Sequence, residues 1–146
     1  MKSYISFKKI WADDDLSEFE VVVNDGGSSF SNQVYVAPSY LKETIKDLLF
    51  FKEQIRGGLY DLTFGRFGQE YADGAFQARL HFQDRGKIFI SVKAQSEFFD
   101  FGRKKVASEA LLFLISEPAL LDNFIEELKS LDQEIGNTAT LECLVE

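Results

Sequence analysis

One histidine, one cysteine and 24 carboxylates are what this 146-residue chain offers to chemistry. Acid–base and nucleophilic catalysis lean most often on histidine. The single one, His81, lies in a run where Phe76, Ala78, Leu80 and Phe82 alternate with Gln77, Arg79, His81 and Gln83. That period of two sends His81 to the wet face of a strand. Cys143 stands between Glu142 and Leu144. An anionic neighbour and a packed surrounding both disfavour its thiolate, the form that attacks or ligates. One cysteine and one histidine also exclude an internal disulfide framework and the usual cysteine or paired-histidine zinc sites. No catalytic residue, metal ligand or cofactor is therefore expected.

The carboxylates divide differently. A pair of them could serve glycoside hydrolysis, but among 24 acids some pair is close by chance. Asp13-Asp14-Asp15 lacks the spaced ligands, central glycine and closing glutamate of a calcium loop, and reads as a solvated loop. Asp100-Phe101-Gly102 spells a kinase tripeptide without the glycine-rich turn and catalytic loop that give it meaning. Gly65-Arg66-Phe67-Gly68 is a fragment of an RNA-recognition strand in an acidic chain. Arg103-Lys104-Lys105 reads as charge that blunts a strand edge.

Net charge is -8, unevenly spread: -3 over residues 1–37, -1 over 38–75, +3 over 76–116 and -7 over 117–146. Such a field repels phosphate, so nucleic acid and anionic membrane are poor partners and a basic protein is a good one. Two acidic concentrations are the candidate docking residues: Asp13, Asp14 and Asp15 with Glu18, and Asp122, Glu126 and Glu127 on a helix. The longest apolar run, Ala110–Ile115, is far short of the ~20 residues that span a bilayer. No apolar leader opens the chain, so a cytoplasmic location is expected.

The elements that must position these groups follow from periodicity. Ser3 to Trp11 reads as a strand near an edge. Phe19–Val23 and Phe30–Val36 read as a hairpin about Asn24-Asp25-Gly26-Gly27. Ser39 reads as the N-cap of a helix carrying Leu41, Ile45, Leu48, Leu49 and Ile55, closed by Gly57-Gly58. Leu59–Phe64 is strand-like. Residues 76–95 form a hairpin turning at Asp84-Arg85-Gly86. A strand from about Lys104 to Ile115 should be central and covered on both sides toward its end. Pro118 opens a second helix with Leu121, Phe124, Ile125, Leu128 and Leu131 inward. Residues 138–145 form a strand or a tail. No internal repeat is visible. The expectation is one α+β domain over 1–146, a mainly antiparallel curved sheet or sandwich with two helices, at about 39–56 and 117–132.

This layout resembles the small bacterial immunity proteins of the WapI type and related acidic domains of toxin–immunity loci. The likeness covers roughly residues 19–131: strands leading to a helix closed by Gly57, a hairpin with Asp84-Arg85-Gly86-Lys87-Ile88 at its turn, and a strand running into a helix with Leu121, Phe124, Leu128 and Leu131. It implies a non-enzymatic protein that needs no cofactor and neutralises a cognate toxin domain, in some cases a nuclease, by contact. Two other readings fit the residues: a small-ligand protein or enzyme with a pocket lined by some of the 15 phenylalanines, and a structural homo-oligomer joined by strand edges.

Overall fold

Alternating apolar residues dictate strands here, and two proline-led apolar stripes dictate helices. The computed structural model describes residues 2–71, 73–83 and 86–145. In chain order these carry β1 (Ser3–Ala12), β2 (Ser17–Asn24), β3 (Ser29–Val36), α1 (Pro38–Phe51), β4 (Leu59–Phe64), β5 (Ala75–Phe82) and β6 (Ile88–Gln95). Then come β7 (Phe99–Phe101), β8 (Lys104–Val106), β9 (Glu109–Ser116), α2 (Pro118–Leu131) and β10 (Thr138–Cys143). Two four-stranded antiparallel sheets result, ordered β10-β1-β2-β3 and β4-β5-β6-β9, with β7-β8 as a separate ribbon. The fold is α+β, as the sequence predicts.

The two sheets repeat one arrangement. Three strands and a helix are followed by a strand that crosses to the other sheet: β1-β2-β3-α1 sends β4 across, and β5-β6-β9-α2 sends β10 back. The registers agree row by row. Ala139, Phe7, Val21 and Asn32 lie in one row, and Leu62, Ala78, Val92 and Leu112 in the equivalent row. β3 and β9 have the same alternation of burial. α1 and α2 are both 14 residues long, and bury Leu41, Thr44, Leu48 and Phe51 against Leu121, Phe124, Leu128 and Leu131 at the same spacing. Even the hairpin ends match: the Asp25 amide donates to the Ser28 carbonyl (3.0 Å), and the Ser96 amide to that of Ser108 (2.8 Å). The duplication, unexpected from sequence, is hidden because equivalent positions keep burial and not identity. Asn32 stands for Leu112, Thr44 for Phe124 and Lys9 for Leu80. The second half also replaces the turn Asp25–Ser28 with Ser96–Ser108, which carries β7 and β8.

Packing closes both halves on one core. Inward residues of both sheets and both helices form a single cluster. Phe7 of β1 meets Phe64 and Phe76 edge-on at 5.5 and 5.3 Å and lies 5.9 Å from Phe124 of α2. Phe51 of α1 stacks on Phe82 at 4.8 Å. Each exchanged strand thus buries its face in the other half's share of the core.

Several expectations need correction. β1 is central, between β10 and β2, because the C-terminal strand takes the edge. α1 starts at Pro38 with Ala37 as its cap, not Ser39, since proline's fixed φ sets the first turn. It ends at Phe51, and the exposed Ile55 belongs to the turns before Gly57, whose φ of 92° suits glycine. The strand from Lys104 is broken at Ala107-Ser108. Its apolar end is not covered on both sides: β9 is an edge strand with Leu111 and Phe113 each 64% exposed. Residues 138–143 are a strand. Of the 84–86 turn, Asp84 and Arg85 lie outside the described residues. No helix among the described residues is long and apolar enough to cross a membrane.

Candidate functional site

The β1–β2 turn with Asp13, Asp14 and Asp15 lies far in sequence from the end of α2, and one polar cluster joins the two; no contact among the described residues brings Asp122, Glu126 or Glu127 to that turn. A bulge between Lys9 and Trp11 shifts the end of β1, and the β1–β2 turn follows. Lys9 is 7% exposed. Its ammonium donates to the Asp132 carbonyl (2.7 Å) and lies 3.2 Å from the Asp132 carboxylate, just past α2. The buried Ser17 hydroxyl donates to the same carboxylate. Backbone bonds secure the junction: the Lys9 amide donates to the Asn137 carbonyl (3.0 Å) and the Gly136 amide to the Lys9 carbonyl (2.8 Å). In the other half the places of Lys9, Ser17 and Asp132 are taken by Leu80, Ile88 and Lys52. The fold therefore does not require this polar cluster, and it anchors the end of α2 beside the acidic turn.

Each predicted residue has a definite place. Asp13 organises the turn, its carboxylate accepting from the Asp15 and Leu16 amides, both at 2.8 Å. Those bonds, Leu16 first, hold its carboxyl below the ordinary aspartate range. Asp14 and Asp15 are exposed at the tip. Glu18 pairs across the strands with Trp11 and with Tyr35. Tyr35's phenol is raised by burial and then by the Glu18 charge. On α2 the acids have partners within the chain. Asp122 meets Lys52 at 3.0 Å, Glu126 meets Lys129 at 2.9 Å, and Glu127 accepts from the Thr140 amide at 2.8 Å. The freer acids of this surface are Asp14, Asp15 and Glu134, the last in the turn after Asp132.

Sequence reasoning missed the apolar part of the surface. Trp11 is 43% exposed and lies edge-on to Tyr35 at 6.2 Å. Leu16 and Ile135 are exposed beside the acidic turn and beside Gly136. Aromatic anchors inside a charged rim are what protein interfaces enrich. An exposed tryptophan at a strand end is the signal that could have found them.

The groups weighed for catalysis are elsewhere. Nδ1 of the half-buried His81 lies 3.2 Å from the Gln83 side-chain amide. Burial pushes the Cys143 thiol up to about 12. Among the described residues no three His, Cys, Asp or Glu side chains are placed to hold a metal ion. Phe7, Phe19, Phe64, Phe76, Phe82 and Phe124 are fully buried packing groups. A groove of about 520 Å³ uses Phe89 and Phe113 with Asp25–Gly27 instead, and a shallower one of about 620 Å³ lies over Phe82 beside His81.

Comparison with protein-family models, curated proteins and solved structures finds no match for this chain.

Proposed function

We propose that this protein is a non-enzymatic binding module, an immunity-type protein that neutralises a basic toxin domain by docking it on the surface formed by the β1–β2 turn and the end of α2. The observation that carries this reading is the Lys9–Asp132–Ser17 cluster, which ties the end of α2 to the strands that carry the acidic turn; Trp11, edge-on to Tyr35, is exposed on β1 just before that turn. The acids steer a cationic partner into encounter, and the aromatic pair supplies the apolar anchor that slows dissociation. The resemblance in layout to WapI-type immunity proteins names the kind of partner.

The test expresses the polypeptide encoded beside this chain, alone and together with it. Growth arrest relieved by this protein, and relieved poorly by a Trp11→Ala/Asp14→Asn/Asp15→Asn variant, supports the reading. A harmless neighbour, or arrest that the protein does not relieve, overturns it. With the purified pair, the two charge substitutions should lower the association rate and its salt dependence, while Trp11→Ala raises the dissociation rate.

A further inference from the structure

The duplication supplies an internal comparison between two edge strands, and they differ. Outward-facing residues of β3 are Ser31, Gln33 and Tyr35; the equivalent residues of β9 are Leu111, Phe113 and Ile115. The shared fold tolerates polar residues at these positions, so the apolar face of β9 is not demanded by folding. Phe89 on β6 lies opposite Ile115 and extends the patch.

The edges differ as well. Gly74 lies against β3 so closely that a Cβ there would run into the Gln33 carbonyl oxygen. The first half's edge is therefore met by its own chain at Gln33. On β9 the bond from Ser96 to Ser108 and the bond from the Leu144 amide to the Ile115 carbonyl (2.7 Å) set the phase. Even-numbered residues bond to β6, and odd-numbered ones point their N–H and C=O away from it. The tail at Leu144 takes the Ile115 carbonyl. The groups of Leu111 and Phe113 have no partner among the described residues.

We infer that this edge pairs with β9 of a second copy, joining two β4-β5-β6-β9 sheets into one eight-stranded sheet across a two-fold axis. The free stretch is self-complementary. Centred on Leu112, antiparallel pairing sets Leu111 against Phe113 of the second copy, and Phe113 against Leu111. Each such pair exchanges two backbone bonds, and the Ile115 carbonyl keeps its bond to Leu144. The side chains then form an apolar cluster across the axis, with Phe89 at its margins. Charge selects this face for self-association. The chain carries -8, and its copies repel least through the uncharged stretch Leu111–Ile115, since the acid is concentrated in residues 1–37 and 117–146. The contact is small, which places the dimer in the weak class.

Sedimentation velocity and light scattering from micromolar to millimolar protein should show the mass rise from 16.6 kDa toward twice that value. Leu111→Ser/Phe113→Gln installs the residues of the other edge and should stay monomeric with an unchanged unfolding midpoint. In the wild type, amide exchange at Leu111 and Phe113 should slow with concentration, while that at Leu112 should not. A wild-type mass fixed at 16.6 kDa up to millimolar concentration overturns the inference and leaves the edge to a strand of another protein. A dimer that survives in the folded double variant, or shows no added protection at Leu111 and Phe113, overturns it too.

Discussion

Replacing Asp132 by alanine tests the junction on which the proposed surface rests. Removing one partner of a fully buried ion pair costs about 3–5 kcal/mol, because the other charge is left without compensation. Here the Asp132 side chain is 25% exposed, and the Lys9 ammonium keeps the backbone carbonyl at 2.7 Å. The expected loss for Asp132→Ala is therefore about 2 kcal/mol, shared by Lys9 and the stranded Ser17 hydroxyl. Lys9→Leu copies Leu80 of the other half and leaves no buried charge, so it should cost about 1 kcal/mol or less. Adding Asp132→Ala to Lys9→Leu should then cost little, giving a coupling of about 1–2 kcal/mol. Urea unfolding followed by far-UV circular dichroism reads all three. A 2 kcal/mol loss moves the midpoint by roughly 1 M at an m-value near 2 kcal/mol/M. A cost below about 0.5 kcal/mol for Asp132→Ala, or strictly additive single substitutions, would show that the cluster is an ordinary surface contact and would refute the reasoning.

Three further outcomes follow from the same geometry. Phe7→Ala removes a fully buried ring that touches Phe64, Phe76 and Phe124, and should cost about 3–5 kcal/mol in urea unfolding, whereas Phe113→Ala on the exposed edge should stay within about 0.5 kcal/mol. Cys143, its thiol pushed up to about 12 by burial, should react with a thiol reagent at pH 8 at least roughly a thousand-fold more slowly than a free cysteine; a rate near the free value would place it at the surface. The lowered Asp13 carboxyl makes the β1–β2 turn firmest above the unfolded aspartate value and progressively looser as pH falls through its own lowered value; carbon-detected NMR of Asp13 and of the Asp15 and Leu16 amides should titrate together, and an ordinary Asp13 midpoint would contradict the turn.

The strands and helices were legible because burial has a period, and that period survives whatever residue fills it. Phe76 to Phe82 and Leu121 to Leu131 announce their elements from apolar spacing alone. Partnership was not legible. Local pattern cannot say that β10 lies beside β1, and so it left β1 at an edge and buried β9 on both sides. The run from Ala110 to Ile115 misled for a physical reason: an edge strand with an apolar outer face and a central strand have the same composition. Asp13, Asp14 and Asp15 could be named from charge, but Asp132 and Glu134, which complete the candidate surface, were not. Only the fold brings Lys9, Ser17 and Asp132 together, and a buried lysine is not a feature that composition announces.

The duplication separates what the architecture needs from what was added to it. Positions that agree between the halves, such as Phe7, Val21 and Val34 with their equivalents Ala78, Val92 and Leu114, are core, and their requirement is burial. Positions where the halves disagree in polarity carry the distinctive chemistry. Lys9, Ser17 and Asp132 replace Leu80, Ile88 and Lys52 at the acidic junction. Leu111 and Phe113 replace Ser31 and Gln33 at the open edge. The two departures have opposite character: one buries a charged and polar cluster between the first sheet and the end of α2, the other exposes an apolar outer face on the edge strand of the second sheet. On the two readings proposed above, the first departure would serve a basic partner and the second a copy of the same chain. Asymmetry between two copies of one arrangement would then be the structural source of two separate contacts.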